Sequence, residues 1–180
     1  MGRISLEDSL EDCSQNVYYT GIISAGTDMN LKEVIRPEYS ILLTSRTKTE
    51  ALLELVDLVR DHGEISDIDD LKKEIFFREQ LMSTGIGQGI GIPHVRFEGI
   101  RHPLIIIGIS PEGIADYESM DGDPVHIIFL FVVGKDQHKE YLRLLSLVSG
   151  KVKDETFRKK LLGAGNSSEI VSLLTDGDRS

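Results

Sequence analysis

The chain of 180 residues has a single cysteine, Cys13, which excludes an intramolecular disulfide. Because structural disulfides belong mainly to secreted proteins, their absence favours a reducing compartment such as the cytoplasm. No apolar run approaches the roughly 18 residues that span a bilayer. The acidic start of the chain also lacks the pattern of a secretory signal, in which positive charge is followed by an apolar run. We therefore expect a cytoplasmic protein that does not insert into a membrane.

Positive charge is scarce. The chain has 20 Lys and Arg against 30 Asp and Glu, which gives a net charge of -10. Because proteins bind nucleic acid backbones through basic patches, this balance argues against DNA or RNA as a partner. A basic protein partner fits better. Hydrophobic residues make up 40% of the chain, which is normal for a globular domain and excludes disorder throughout.

Sequence patterns for metal and nucleotide binding are missing as well. Three histidines, His62, His102 and His126, have no cysteines or carboxylates at zinc-ligand spacing. No GxxxxGK[ST] pattern occurs, and GxGxxG would need glycine where the chain has Ile90 or Ile92. We expect neither a zinc site nor a bound nucleotide, and we interpret His126 as a core or interface histidine with a satisfied ring.

Glycine, in contrast, is concentrated in the stretch REQLMSTGIGQGIGIPHVR, which runs from Arg78 to Arg96. Four glycines stand at alternate positions between residues 85 and 91. Because glycine costs up to about 1 kcal/mol inside a regular element, this density predicts backbone that turns unusually or approaches another group closely. Pro93 fixes φ just before His94, so we expect the imidazole to be held on a stiff, exposed turn.

The residues of this stretch are suited to phosphate. The hydroxyls of Ser83 and Thr84, with the glycine amides, can form an anion-binding concavity. Arg78 adds a permanent planar cation that matches phosphate oxygens. A neutral imidazole beside such a pocket can attack phosphorus, so the stretch predicts phosphoryl transfer through His94. The alternatives are a turn histidine without a function and an arginine that only caps the end of a helix.

The pattern RE-x-x-x-STGIG-x-GI-x-IPH closely resembles the phosphorylation-site motif of the enzyme IIA domains of the bacterial phosphoenolpyruvate:sugar phosphotransferase system (PTS). The resemblance is to the fructose/mannitol superfamily, and STGIG is more similar to its fructose and nitrogen-regulatory branch. It extends from about residue 29 to residue 175 and includes the later stretch DGDPV at residues 121–125.

The resemblance implies a role for several residues of the motif. His94 is the expected phosphoryl acceptor, Arg78 the phosphate clamp, and His138, at the start of a later helix, an auxiliary residue of the same pocket. The expected phosphate-binding residues are Ser83, Thr84 and Gly85. Val95 follows the histidine where the family usually has a smaller residue, and we expect this difference to alter the fit of a partner at the rim of the site.

The resemblance also implies partners. HPr or an HPr-like phosphocarrier would donate the phosphoryl group, and a IIB protein or domain would receive it, with no metal or organic cofactor. Two roles stay open. One is fructose-type sugar uptake, and the other is nitrogen-type regulation, in which phosphorylation switches contacts with regulatory protein targets. A hydrolase using Ser83 and His94 is a weaker alternative, because the chain lacks a nucleophile elbow and a placed carboxylate.

The remaining pattern predicts an α/β fold. Strands are predicted at residues 39–45, 104–110 and 125–133, and the last two are nearly continuous apolar runs. Helices are predicted to begin at Thr47, ending at Gly63, and near Asp67, ending around Arg78 and Glu79. Three more helices are expected at residues 137–149, 154–162 and 167–175. Because buried strands need helices on both faces, we expect a three-layer α/β/α single domain with a central mixed β-sheet at residues 29–175. An N-terminal tail is expected at residues 1–28 and a C-terminal tail at residues 176–180.

Overall fold

A computed structural model of the protein describes residues 30–176. The tail predicted at residues 1–28, which includes Cys13, lies outside the described residues, as do the last four residues of the predicted C-terminal tail. In chain order the elements are α1 (Leu31–Val34), a 3₁₀ turn (Pro37–Tyr39), β1 (Ser40–Leu42), α2 (Lys48–Asp57), α3 (Ile68–Leu81), β2 (Gly85–Gly87), β3 (Ile90–Gly91), β4 (His94–Arg96), β5 (Leu104–Ile114), β6 (Val125–Val133), α4 (His138–Val152), α5 (Glu155–Leu162) and α6 (Ser167–Thr175).

The six strands of the described residues form one mixed sheet, in which five follow the order β1-β5-β6-β3-β2 and the sixth, β4, also pairs with β6. Strands β5 and β6 pair antiparallel at its centre, and β1 lies parallel to β5. On its other side β6 pairs in parallel with β3 and then with β4. Strand β2 completes an antiparallel hairpin with β3. The mixed sheet confirms the predicted fold class.

Two hydrophobic clusters, one on each face of the sheet, make the domain three-layered. Alternate residues of β6 face opposite ways, so Leu130 belongs to one cluster and Phe131 to the other. Helices α2 and α3 cover the first face through residues such as Leu52 and Leu71. Helices α1, α4, α5 and α6 cover the second face, with Leu144 among the buried residues. This arrangement explains why the two central strands read as continuous apolar runs.

Side-chain caps stand at several of the predicted helix starts. Thr47 accepts a hydrogen bond from the Glu50 N–H at the start of α2, and Asp67 accepts from the second and third residues of α3. Asn166 accepts from the Glu169 N–H at the start of α6. Each of these side chains satisfies a backbone donor that has no partner within the helix.

Two predicted boundaries differ most from the structure. Helix α2 ends at Asp57 rather than near Gly63, because bonds of the i→i+3 type from Leu58 onward tighten the chain into successive turns. Strand β5 continues past residue 110 to Ile114 through an irregularity in its pairing with β6. Pro111 is tolerated there because a bulge does not require every backbone donor.

Candidate active site

The glycine-rich stretch folds into the β2–β3 hairpin at one edge of the sheet. Its turn residues Gly87, Gln88 and Gly89 have φ values of 93°, 57° and 76°, a left-handed conformation that favours glycine. At Gly85 an added Cβ would collide with the Glu118 carbonyl oxygen. The sequence predicted that the glycines serve an unusual backbone turn or a close contact. The structure shows both.

A neighbouring segment holds this hairpin by its backbone. The Gly87 N–H donates to Ser119 Oγ over 3.1 Å, and the Gln88 N–H donates to the Asp121 carboxylate over 2.6 Å. The Gln88 N–H is also the main reason why the pKa of Asp121 lies below its usual value. These two amides are therefore occupied by side chains of the protein and are not available to a phosphate.

Strands β3 and β4 lie in line along β6. Ile90 pairs with Ile127 and His94 pairs with Phe131, so the register is the same before and after Pro93. Proline has no N–H, but the Pro93 carbonyl still accepts from the Phe131 N–H over 2.9 Å. The position of His94 is therefore fixed by strand register.

His94 is the first residue of β4, and not part of an exposed turn as the sequence suggested. Its partly buried ring stacks on the ring of Tyr141 in α4, with centroids 5.1 Å apart and planes inclined by 29°. Its Nδ1 atom lies 3.4 Å from the Ile92 carbonyl oxygen. Burial lowers the pKa of His94 below its ordinary value, and the positive charge of Arg78 lowers it further. The geometry thus favours a neutral imidazole with Nδ1 toward the backbone and Nε2 as the nucleophilic atom.

The expected effect of Val95 on the rim of the site was wrong. Because side chains alternate along a strand, Val95 points to the opposite face from His94 and is buried among the residues covered by α2 and α3. The larger residue at this position therefore fills the core and does not reach a docking partner.

Arg78 and Arg96 both act electrostatically on the His94 ring, since each guanidinium lowers its pKa. Arg78 lies near the end of α3, and one of its nitrogens, Nη1, donates to the Met82 carbonyl over 3.1 Å. That bond is the one expected of a helix-capping arginine, and the other N–H groups of the fork can serve a phosphoryl group. Arg96 follows His94 on the same face of β4 and contacts His138 Nδ1 through Nη2 at 3.1 Å.

His138 is the first residue of α4 and is exposed. Tyr141 follows one helical turn later, so these two side chains share a face of the helix. Tyr141 contacts His94 and His138 contacts Arg96. The two contacts align α4 with β4 and bring His138 to the same face of the sheet as His94.

Ser83 and Thr84 each have hydrogen-bond partners within the protein. The Ser83 hydroxyl donates to the Glu118 carbonyl over 2.7 Å and accepts from Lys48 Nζ over 3.2 Å. Thr84 is buried, and its hydroxyl lies 2.5 Å from a carboxylate oxygen of Glu79. These contacts hold the start of the hairpin. They also leave no bond from Ser83 to His94 of the kind that a serine hydrolase needs.

Thr84 belongs to a buried polar cluster that consists of Lys48, Glu79, Thr84 and Tyr117. Lys48 Nζ lies 2.7 Å from Glu79 Oε2, and the Glu79 side chain is only 4% exposed. The Thr84 hydroxyl also lies 2.9 Å from the Tyr117 hydroxyl, whose pKa is raised by burial and by the charge of Glu79. The cluster joins the start of α2, the end of α3 and the glycine hairpin.

Sequence reasoning missed Arg96, Tyr141, Glu79 and Lys48. The first two carry a signal that was available: Arg96 stands two residues after His94, the period of a strand, and Tyr141 stands three after His138, the spacing of a helix face. Lys48 is 31 residues from Glu79 in sequence, and only the packing of α2 against α3 brings them together.

The three histidines set aside as metal ligands have protein partners. His62 Nδ1 accepts from the Glu64 N–H, and His102 Nδ1 lies 2.8 Å from the Glu64 carboxylate. His126 donates from Nδ1 to the Ser110 carbonyl over 2.9 Å, as expected of a satisfied strand histidine. Within residues 30–176 no group of three or more potential ligands could hold a metal ion. No helix in the same range is long and apolar enough to cross a bilayer.

Comparison with known proteins agrees with the fold and the motif. Residues 33–177 match the family described as "Phosphoenolpyruvate-dependent sugar phosphotransferase system, EIIA 2". The chain is 34% identical over 137 residues to the PTS system fructose-specific EIIABC component of Bacillus subtilis, covering 76% of this chain and 21% of the relative. It is 33% identical over 130 residues to the PTS system fructose-specific EIIA component of Haloferax volcanii, covering 72% of this chain and 84% of the relative.

The crystal structure of nitrogen regulatory protein IIA-Ntr from Neisseria meningitidis superposes with a TM-score of 0.74 at 27% identity, covering 81% of this chain and 99% of that one. Fold and site together define an α/β/α domain with one arginine-flanked histidine at the edge of a mixed sheet. The chain belongs to the EIIA 2 family, and it is therefore a phosphotransferase system component.

Proposed function

We propose that this chain is a phosphocarrier that receives a phosphoryl group on His94 from HPr or an HPr-like protein and passes it to a IIB partner. The observation that carries the proposal is the environment of His94. Burial and Arg78 keep the ring neutral near pH 7, and two guanidinium groups supply positive charge around it. A neutral imidazole is nucleophilic, and fixed cations stabilise the charge that spreads over the transferring oxygens.

The geometry supports attack through Nε2. With Nδ1 toward the Ile92 carbonyl, the proton of the neutral ring resides on Nδ1 and the lone pair on Nε2. A bond forms between Nε2 and phosphorus while the nitrogen–phosphorus bond of the donor breaks, and its electron pair returns to the donor nitrogen. The step needs no metal or organic cofactor. Arg78 would act as the clamp on the phosphoryl oxygens, with His138 as an auxiliary group.

Ser83, Thr84 and Gly85 hold the hairpin that precedes His94 in place. Their contacts with Lys48, Glu79 and the Glu118 backbone fix the hairpin that precedes His94. Since the Gly87 and Gln88 amides are occupied, phosphate contact at this stretch would come from Ser83, Thr84 and Gly85. We further propose that residues 29–175 form the functional IIA domain, with residues 1–28 and 176–180 as its tails.

Sugar uptake is the first reading of the transfer, because the two curated relatives described above carry fructose-specific names. Nitrogen-type regulation is the second, and the similarity to IIA-Ntr favours it specifically. In that role the phosphoryl group on His94 would switch contacts with regulatory proteins through its added negative charge. Both readings use the same acceptor atom and place the protein in the cytoplasm.

The test is reconstitution with phosphoenolpyruvate, enzyme I and HPr, followed by mass spectrometry and an acid-lability assay. Wild-type protein should gain one acid-labile phosphoryl group, and His94→Ala should gain none. His102→Ala is the matched control, because its ring bonds Glu64 on another part of the surface. Undiminished phosphorylation of His94→Ala would overturn the proposal. Transfer from the phosphorylated protein to purified IIB then distinguishes sugar uptake from regulation.

A further inference from the structure

The contact between Arg96 and His138 restricts the protonation of the histidine. Arg96 Nη2 lies 3.1 Å from His138 Nδ1. A guanidinium is always charged and has no acceptor, so it can only donate in this hydrogen bond. His138 Nδ1 must therefore be the acceptor and must carry a lone pair rather than a proton.

The restriction at Nδ1 decides what the other ring nitrogen can do. A neutral imidazole carries one proton, and with Nδ1 unprotonated that proton is on Nε2. The Nε2–H group is a hydrogen-bond donor, which is what an anionic phosphoryl group requires. The opposite tautomer would present a lone pair to the phosphoryl oxygens and would repel them.

Arg96 and His138 both lie on the same face of the sheet as His94, where this tautomer could act on a phosphoryl group. Arg96 follows His94 on the same face of β4, and His138 shares a helix face with Tyr141, whose ring covers His94. The hydrogen bond therefore ties the start of α4 to the strand that carries the acceptor histidine. Arg96 also contributes to lowering the pKa of His94, which is consistent with a guanidinium close to the site.

We propose that Arg96 is a positioning residue that holds His138 in its Nε2–H tautomer and so turns this imidazole into a hydrogen-bond donor for the phosphoryl group on His94. The inference rests on the proposed function, because it assigns a role in the phosphorylated state. It goes beyond that function, because it makes His138 depend on a residue that the phosphorylation-site motif does not contain. The structural part concerns the unphosphorylated protein and can be tested separately.

The first test is the tautomer itself, measured by long-range ¹H–¹⁵N correlation spectra of unphosphorylated protein. In wild type the His138 Nε2 atom should be protonated and Nδ1 should not. Arg96→Gln should give a mixture of tautomers, because an amide can either donate or accept. Arg96→Lys should preserve the wild-type pattern, since an ammonium group also only donates. A protonated Nδ1 in wild type, or an unchanged tautomer in Arg96→Gln, would overturn the proposal.

The second test is the rate of phosphoryl transfer to His94 in a double-mutant cycle. Arg96→Gln and His138→Gln should each slow transfer about tenfold, and the double variant should be no slower than His138→Gln alone. Arg60→Gln, which removes an exposed arginine paired with Asp57, controls for the loss of one positive charge. Fully additive losses would show that Arg96 acts directly on the phosphoryl group and would refute the positioning role. Absence of phosphorylation in wild type would instead refute the proposed function, and the tautomer spectra would still decide the structural inference.

Discussion

The ring of His94 stacks on the ring of Tyr141, which in turn meets Phe131 edge-on at a centroid distance of 5.6 Å. Phe131 is also the residue of β6 that pairs with His94 across the sheet. His94 thus belongs to an aromatic group that continues into the buried core. This arrangement dehydrates one face of the imidazole, and burial is the main reason why its pKa is lowered.

Removing the ring at position 141 should change the protonation of His94. In Tyr141→Ala water reaches the imidazole, so the pKa of His94 should rise toward the ordinary value of about 6.5. Since transfer needs the neutral ring, the acid limb of the pH profile of phosphorylation should move to higher pH by the same amount. NMR titration of His94 and the transfer rate between pH 5 and 8 measure the two effects. Tyr141→Phe keeps the ring and should leave both unchanged, whereas an unshifted profile in Tyr141→Ala would assign the lowered pKa to the arginines alone.

Arg78→Lys distinguishes a phosphate clamp from a helix cap. Lysine can still donate to the Met82 carbonyl and complement the end of α3, so stability should be unchanged. It lacks the planar fork, so the barrier to phosphoryl transfer should rise by roughly 1.5–3 kcal/mol, or about ten- to a hundredfold in rate. Rapid-quench kinetics with phosphorylated HPr measure the transfer rate, and urea unfolding of the same variant measures its stability. Arg60→Lys should affect neither, and a wild-type transfer rate in Arg78→Lys would leave only the capping role.

Replacing only one partner of the buried ion pair between Lys48 and Glu79 should lower the unfolding free energy strongly. Lys48→Met leaves the Glu79 carboxylate without its cation in an almost fully buried position, and we expect a loss of about 3–5 kcal/mol in unfolding free energy. The double variant Lys48→Met/Glu79→Gln should recover most of this loss, because the uncompensated charge is gone. Arg46→Met, which breaks an exposed pair with Glu112, should cost less than about 1 kcal/mol. Equal costs for Lys48→Met and Arg46→Met in urea unfolding would contradict the structural role of the buried pair.

Gly85 should not tolerate a side chain, because its Cα faces the Glu118 backbone. Gly85→Ala should destabilise the protein by about 1–3 kcal/mol through overpacking, and it should slow phosphorylation by moving the hairpin away from His94. Gly63→Ala is the control, since nothing lies within 4 Å of the added methyl group and its unfolding free energy should stay within about 1 kcal/mol. Urea unfolding and the phosphorylation assay test both variants. Wild-type stability of Gly85→Ala would show that the backbone around Glu118 can shift to accept the methyl group, and would contradict this prediction.

The fold was largely predictable because its signals are local. The caps at Thr47, Asp67 and Asn166 and the apolar runs of β5 and β6 are each contained in fewer than a dozen residues. The extension of β5 beyond residue 110 was not predictable in this way. Pro111 and Gly113 are ordinary loop signals, and only pairing with β6 draws them into the strand.

The position of the candidate site was predictable around His94, and its surroundings were less so. The motif pointed to His94, but the contacts of neighbouring side chains depend on which face of an element they occupy. Val95 was assigned to the rim because the start of β4 at His94 was not foreseen. Once the strand is known, alternation sends Val95 to the core and Arg96 to the site, and helical spacing adds Tyr141.

The in-line register of β3 and β4 along β6 has a consequence for how the proposed carrier would meet its partners. His94 is held by a strand, its Nδ1 atom faces the Ile92 carbonyl, and Tyr141 covers one face of the ring. Its Nε2 atom therefore cannot move between a donor protein and a recipient protein. Donor and recipient must approach the same stationary atom from the same side. The two partners therefore could not bind at the same time. The donor would dissociate before the recipient binds, and the phosphoryl group would remain on the imidazole between the two binding events.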